Sequence, residues 1–217
     1  NRLLNEVKTE FAISLDDDAH FHEAPELNDI TAYFEQHKTC GLLALRIFWG
    51  IALPKNTISD ESPRRVQSFV GCGHIWRMSA WRSIPDYPSW FKFYGEEDFA
   101  SYHLFKSHLE VHYYPKILIH HRVDMTKRKT NADYYLRFRW SLRSGWYLYL
   151  LFSPWSTIPR MLAYTYCMQI KLKVIGGKGS LKSFLCINRA LISVFINLPR
   201  LIKQSNRFSI EERKEYI

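Results

Sequence analysis

The sequence has few cysteines, and they show no sign of a cysteine-based scaffold. Its four cysteines, Cys40, Cys72, Cys167 and Cys186, are widely spaced among 217 residues and form no Cys-x-x-Cys pair. Neither a structural zinc site nor a disulfide framework is therefore indicated. A reducing compartment such as the cytoplasm fits this cysteine usage.

Long uncharged apolar segments are also lacking. In the second half, the longest stretch free of Asp, Glu, Lys and Arg is residues 144–159, which contains Pro154. This stretch is shorter than the roughly 20 residues that a membrane-spanning helix needs. Residues 1–10 are charged without an apolar centre, so no secretory signal is indicated. We expect no transmembrane helix, although basic aromatic segments of this kind can bind at a membrane surface.

Acidic residues are scarce after residue 121. Residues 1–121 hold 12 Lys+Arg and 16 Asp+Glu, a net charge of −4, whereas residues 122–217 hold 18 and 5, a net charge of +13. All nine histidines lie in the first part. Such a change of composition predicts two regions with different roles. We place them at residues 1–125 and 126–217.

Three adjacent acids follow a short apolar segment near the start of the chain. Phe11–Leu15 has the length and character of a buried strand, and residues 16–18 (DDD) follow it directly. Ligands gather at the carboxyl ends of strands in open α/β sheets, where carboxylates can bind a divalent cation. A solvated turn gives the same pattern. An EF-hand calcium loop is excluded, because Phe21 and Leu27 stand where its Gly and Glu are needed.

Two further clusters carry groups that could do chemistry. Residues 96–98 (EED) open a predicted helix, where acids either complement the helix dipole or supply a general base. His120 and His121 end an apolar strand, and strand alternation puts His121 on the face of Ile117 and Ile119. Such a histidine is either a hydrogen-bonding group or a metal ligand, and imidazole beside carboxylates suits Mn²⁺ better than Ca²⁺.

The other segments predict an alternation of strands and helices. Gly41–Ile51 and Gln67–Val70 are predicted strands, and Gly95–His108 is a predicted helix. Residues 111–121 are predicted to be extended. In the second region we expect a long aromatic helix over residues 131–152 with Asn131 as its cap, and two more helices around residues 176–180 (GGKGS).

Four of these features occur in a particular order: a strand ending in DDD, a strand entering residues 71–74 (GCGH), a helix that begins with GEED, and a proline followed by a strand that ends in HHR. In this order they resemble the catalytic half of a family 2 inverting glycosyltransferase with the GT-A fold. Its rhamnosyl- and galactofuranosyl-transferase-like members are the most similar. The resemblance runs from about Val7 to Arg143. It implies an α/β fold with a GT-A-like mixed sheet flanked by helices, followed by a C-terminal α-helical region.

The resemblance also assigns roles to residues at the metal and donor end. It makes residues 16–18 the family's DXD-type motif, in which Asp18 binds the metal, Asp16 faces the nucleotide ribose or the metal, and Asp17 lies beside the donor or acceptor. Either His121 or His120 completes the metal shell. The implied cofactor is Mn²⁺ or Mg²⁺.

The remaining implied site residues bind substrate or do the chemistry. Residues 71–74 (GCGH) match the family's glycine-rich segment, so Gly71, Gly73, His74 and the following Arg77 are expected beside donor and acceptor. In the EED cluster, Glu96 is expected to bind substrate. Glu97 and Asp98 match the family's Glu-Asp pair, with Asp98 as the general base.

The implied reaction transfers a sugar, with inversion, from a nucleoside-diphosphate-sugar to a hydroxyl of a glycan or lipid-linked acceptor. We expect a role in cell-surface polysaccharide synthesis, in the cytoplasm or at the inner face of an anionic membrane. Two alternatives remain open. One is an inactive remnant, and the other is a basic module that binds a membrane surface or nucleic acid, although no nucleic-acid motif is present.

Two departures from the family pattern qualify these expectations. Residues 136–140 read LRFRW, with Leu136 in place of the Gln of the processive members' Gln-x-x-Arg-Trp motif, which favours a non-processive enzyme. The strands that hold the nucleotide base should precede the DDD strand, and residues 1–10 resemble only the tail of the helix leading into it. We therefore expect an N-terminally incomplete domain that lacks on the order of 100 residues.

Overall fold

The computed structural model of the chain describes residues 1–124, 132–176 and 181–216. It contains two compact units. The first comprises Asn1–Tyr87 and Glu97–Arg128, and the second comprises Pro88–Glu96 and Lys129–Ile217. The boundary predicted between residues 125 and 126 lies outside the described residues.

The first unit is built on a six-stranded mixed sheet in the order β1-β5-β3-β6-β2, with β4 also paired to β6. Strand β3 runs parallel to β6, and the other pairs are antiparallel. The strands are β1 (Phe11–Leu15), β2 (Ala19–Phe21), β3 (Cys40–Trp49), β4 (Arg64–Val66), β5 (Gly73–Arg77) and β6 (Glu110–His121). The helices are α1 (Arg2–Glu6), α2 (Leu27–Gln36), α3 (Met78–Ser83) and α4 (Glu96–Lys106).

Helices cover both faces of this sheet. Side chains alternate along its central strands, so successive residues pack on opposite faces. On one face Leu42 and Trp76 pack with Ala80 of α3 and with Ala100 and Leu104 of α4. On the other face, Leu43 of β3 and Ile75 of β5 pack with Ile30 and Phe34 of α2. The central strand β3 therefore reads as a nearly continuous apolar run rather than as an alternating one.

The sheet cannot be flat, because β1 and β2 lie at opposite ends of the strand order although only three residues separate them. The four Cα steps from Leu15 to Ala19 reach at most about 14 Å. Four strand spacings in a flat sheet would require about 19 Å. A register shift of β6 against β3 between Leu45 and Arg46 sets residues 115–117 out of the pairing. Bulges of this kind increase local twist, which brings the end of β1 near the end of β6.

The second unit is helical. Its elements are a short 3₁₀ helix (Ser89–Phe91), α5 (Tyr134–Phe152), α6 (Ile158–Ile170) continued by a π-helical turn (Lys171–Ile175), α7 (Leu181–Lys203) and α8 (Ile210–Tyr216). Its buried side chains include Trp146, Tyr147 and Leu151 of α5 and Ile187 and Val194 of α7. The Arg143 guanidinium is buried and donates to the carbonyl of Phe91.

The fold class predicted from the sequence is confirmed, since the chain has a mixed α/β sheet with flanking helices and C-terminal helices. The strand predicted at Gln67–Val70 is wrong. The strand lies at Arg64–Val66, and residues 67–70 are irregular, with Phe69 buried in the core. The predicted cap Asn131 and residues 177–180 lie outside the described residues.

One described helix differs from the expectation about membranes. By length and composition α7 is long and apolar enough to cross a bilayer. Of its most apolar 18-residue stretch, 28% is buried within the protein. Arg189 lies within this helix, so no uncharged stretch of the sequence here has the length of a membrane span.

Two glycine substitutions, one in each unit, test the packing inside that unit. A Cβ at Gly73 would lie 2.9 Å from both Ile119 Cγ1 and Ile47 Cδ1, so we expect Gly73→Ala to lower the free energy of unfolding by about 1–3 kcal/mol. A Cβ at Gly145, inside α5, would meet no atom within 4 Å. Gly145→Ala should therefore raise stability by about 0.5–1 kcal/mol. Urea denaturation followed by circular dichroism measures both, and equal effects would contradict the packing described for Gly73.

Candidate functional site

The DDD run forms a tight turn between β1 and β2. The Ala19 amide donates to the Asp16 carbonyl at 3.1 Å, and the Arg122 amide donates to the Asp18 carbonyl at 3.0 Å. All three aspartates are exposed. The backbone of residues 16–18 therefore forms the solvated turn that the pattern predicts. The second hydrogen bond connects this turn to Arg122, the residue that follows β6.

Asp16, Asp18 and His121 converge at this turn. One ligand atom from each lies within 4.8 Å of the others, and His121 Nε2 is 2.8 Å from Asp18 Oδ1. The His121 side chain is 5% exposed and that of Asp18 is 47% exposed. Two solvent-accessible carboxylates thus lie beside a buried imidazole, while Asp17 is exposed and outside this group.

The end of β3 holds the His121 ring. Trp49 is the partner of His121 in the strand pairing, and their rings lie 4.6 Å apart. The Gly50 amide donates to the His121 carbonyl at 3.2 Å. The buried Nδ1 of His121 has no hydrogen-bond partner among residues 1–124, 132–176 and 181–216. Packing against Trp49, together with the contact to Asp18, therefore fixes the direction of Nε2.

His120 points away from this group, as the alternation of side chains along a strand predicts. Its Nε2 lies 2.7 Å from the Gly50 carbonyl, and its ring packs against those of Phe48 and His20. Of the two histidines named from the sequence, the structure brings only His121 to the carboxylates.

The loop at residues 71–73 lies between these carboxylates and the start of α4. Burial, together with the negative charges of Asp16, Asp18 and Glu97, raises the pKa of the Cys72 thiol to about 12. A Cβ at Gly71 would lie 2.8 Å from Glu97 Oε1. The resemblance predicts that this glycine lets the backbone approach a substrate. In the structure it admits the carboxylate of Glu97.

The neighbouring His74 is buried and supports this loop. Its Nδ1 lies 3.0 Å from the Gly71 carbonyl, and its ring packs against Phe69. Burial lowers the pKa of His74 to about 4, so the ring is neutral near pH 7. Gly73 belongs to the core beside Ile119 rather than to an open surface. The structure thus places His74 and Gly73 beneath the loop.

The acids of the EED cluster lie in different surroundings. Glu97 faces Gly71, as described above. Asp98 is partly buried in the first turn of α4, and within the described part of the chain it makes no hydrogen bond or ion pair. Glu96 belongs to the second unit. Asp98 therefore keeps a carboxylate that is not engaged by another described residue.

Arg77 lies elsewhere. It ends β5 opposite Phe11, whereas Gly73 starts the same strand opposite Leu15 next to the aspartates. Its guanidinium donates to the carbonyls of Phe34 at 2.6 Å and Cys40 at 2.9 Å. The structure does not bring Arg77 to Asp16, Asp18 and His121. This arginine instead binds the carboxyl end of α2 at the far end of the sheet.

Comparisons with known proteins bear on the fold alone. No family model matches the sequence, and no curated protein matches it. Among solved structures, a crystal structure of GalNAc-T7 with UDP, GalNAc and Mn²⁺ superposes with a TM-score of 0.55 at 11% sequence identity. The fold is GT-A-like. The superposition covers 92% of this chain but only 43% of that chain, so the present chain spans less than half of its length.

In this GT-A-like fold, the three-residue group fits a divalent cation. Two carboxylate oxygens and one imidazole nitrogen form the mixed set of ligands that Mn²⁺ accepts, and Asp16 and Asp18 face solvent, from which further oxygen ligands can come. The resemblance implied Asp18 as a ligand, Asp16 as a residue facing the ribose or the metal, and one of His121 and His120 as a further ligand. It gave no signal for the ring of Trp49 or for the approach of Glu97 to Gly71.

Metal titration tests the group directly. We expect Asp18→Asn and His121→Ala each to weaken Mn²⁺ binding by about tenfold or more, because each removes one of three ligands. Isothermal titration calorimetry measures the affinity, and His20→Ala, which changes an exposed histidine on the opposite face, is the matched control. Unchanged affinity in both ligand variants would contradict this site.

A substitution of Arg77 separates its structural role from a role in binding. Arg77→Met leaves the carbonyls of Phe34 and Cys40 without this donor, so we expect a loss of about 2–4 kcal/mol in the free energy of unfolding. Arg82→Met, which loses one exposed bond to the Val7 carbonyl, should cost less. Urea denaturation gives the stability and calorimetry gives the Mn²⁺ affinity. A weaker metal affinity with unchanged stability would restore Arg77 to the site.

Proposed function

We propose that this protein is a metal-dependent inverting glycosyltransferase. It would move a sugar from a nucleoside-diphosphate-sugar to a hydroxyl of a glycan or lipid-linked acceptor. The observation that carries the proposal is the convergence of Asp16, Asp18 and His121 at one corner of a GT-A-like sheet, with Glu97 facing the adjoining loop. The similar structure of GalNAc-T7 contains UDP, GalNAc and Mn²⁺, which supports a donor of this class.

The residues of the turn would hold the metal and the diphosphate end of the donor. Asp16, Asp18 and His121 are the proposed ligands, and Asp17 is the neighbouring polar side chain on the donor side. A bound divalent cation supplies positive charge that stabilises the departing diphosphate. The buried His121 fixes one ligand while the exposed carboxylates meet the substrate.

The start of α4 would supply the base. Asp98 is the proposed general base, because its carboxylate is partly buried and not engaged by another described residue, and Glu97 lies one position away against Gly71. The acceptor hydroxyl gives its proton to Asp98, and its oxygen forms a bond to the anomeric carbon. The bond from that carbon to the diphosphate oxygen breaks, and the configuration inverts. We propose that Glu96 adds a substrate contact.

Finer assignments extend the same proposal. The order of motifs favours a rhamnosyl- or galactofuranosyl-transferase-like enzyme of family 2, acting without processivity in cell-surface polysaccharide synthesis. Its proposed location is the cytoplasm, because the four free cysteines are compatible with a reducing environment. The inactive-remnant alternative retains the same fold and differs in having no turnover.

Turnover by variants of the acidic cluster tests the proposal. With a panel of nucleoside-diphosphate-sugars and Mn²⁺, ³¹P NMR detects the released nucleoside diphosphate. We expect Asp98→Asn to lower turnover by about 10²-fold or more while Mn²⁺ affinity is unchanged, as for a lost general base. Glu35→Gln, which removes an exposed acid of α2, is the matched control.

The outcomes separate the alternatives. Normal turnover in Asp98→Asn would reject Asp98 as the base. Mn²⁺ binding without turnover of any donor in the panel would support the inactive-remnant alternative. Loss of activity in Glu35→Gln would show that the effect does not come from the site.

A further inference from the structure

Helix α7 is apolar on two opposite faces. The inner face, which includes Ile187, Ala190 and Val194, is buried in the second unit. Seven large apolar side chains on the opposite side are between 41% and 73% exposed: Leu181, Phe184, Leu185, Ile192, Phe195, Ile196 and Ile202. At 100° per residue they fall within an arc of roughly 120°, which is the width of a stripe that an amphipathic helix buries. We call this stripe the outer face of α7.

A row of cations borders the outer face on one side. Lys182, Arg189 and Arg200 are exposed, and their spacings of 7 and 11 residues put them on nearly the same line of the helix. No Asp or Glu lies between Asp133 and Glu211, a stretch with 12 Lys and Arg. The surroundings of the outer face are therefore positively charged without a neutralising acid in the same part of the chain.

Charge and shape together point to a lipid surface. Helices that lie in a membrane interface combine one apolar face with Lys and Arg along its border. A second copy of the chain would bring identical cationic rows together, which disfavours self-association through this face. A transmembrane position would place Arg189, near the middle of the helix, in hydrocarbon, while the inner face is already packed in protein.

We propose that α7 docks on an anionic membrane, lying in its plane. The outer face contacts the boundary between headgroups and acyl chains, and Lys182, Arg189 and Arg200 contact lipid phosphates. The inference does not depend on the proposed glycosyl transfer. If both hold, membrane docking favours an acceptor carried on a lipid.

Vesicle flotation with the whole protein tests the docking. We expect binding to phosphatidylcholine vesicles that contain phosphatidylglycerol, weaker binding to phosphatidylcholine alone, and a decrease with added salt. Ile196→Asn should weaken binding by about tenfold or more, because Ile196 is 73% exposed on the outer face. Ile58→Asn, at a residue that is 78% exposed in the first unit, is the matched control and should bind normally.

A second variant isolates the cationic row. Arg189→Gln should weaken binding to the anionic vesicles by about fivefold, with little effect on the neutral ones. Thermal melting by circular dichroism should be the same for Ile196→Asn, Arg189→Gln and the unmodified protein, because both side chains are exposed. Turnover of a soluble acceptor should also be unchanged, so a failure of docking and a failure of catalysis are distinguishable.

Three results would overturn the proposal. One is binding that is independent of anionic lipid and of Ile196. Another is protein that stays with the vesicles after alkaline carbonate extraction, which would show that α7 spans the bilayer. The third is a dimer in sedimentation velocity that Ile196→Asn dissociates, which would assign the outer face to a second copy of the chain.

Discussion

The short link between β1 and β2 is the constraint on which the site depends. Three residues must join strands at opposite ends of the pairing order, so the sheet curls and the end of β1 lies near the end of β6. Residues 115–117, outside the pairing, supply the irregularity that permits the curl. The carboxylates and His121, which are about 100 residues apart in sequence, meet because of this local geometry and not because of a motif.

The parts of the site that could be predicted from sequence are those set by periodicity and by strand ends. A short apolar strand running into acids gave the position of the turn, and the alternation of β6 assigned His121 rather than His120 to the face of Ile119. The fold class followed from the resemblance that the order of strands, helices and acidic clusters bears to GT-A glycosyltransferases. The first two inferences need only local rules, and the structure follows the same rules at Phe11–Leu15 and at His121.

The remaining features depend on tertiary packing that local rules do not contain. Arg77 follows the glycine segment closely in sequence, but the length of β5 carries it to the other end of the sheet. Gly73 resembles a residue that leaves room for substrate, whereas the space belongs to Ile47 and Ile119. The strand at Arg64–Val66 follows a polar loop and lacks an apolar run of its own, because it needs only to pair with β6.

The negative charges around Cys72 indicate that stability alone does not explain the residues at this corner of the sheet. Asp16, Asp18 and Glu97 all act on one thiol, so three carboxylates lie close together around a partly buried loop. Their mutual repulsion is unfavourable, and the imidazole of His121 contacts the carboxylate of Asp18. Sequences usually depart from local stability rules where a ligand compensates. A divalent cation removes the repulsion and uses the oxygens that the turn leaves exposed, which is why the metal is the centre of the proposed chemistry.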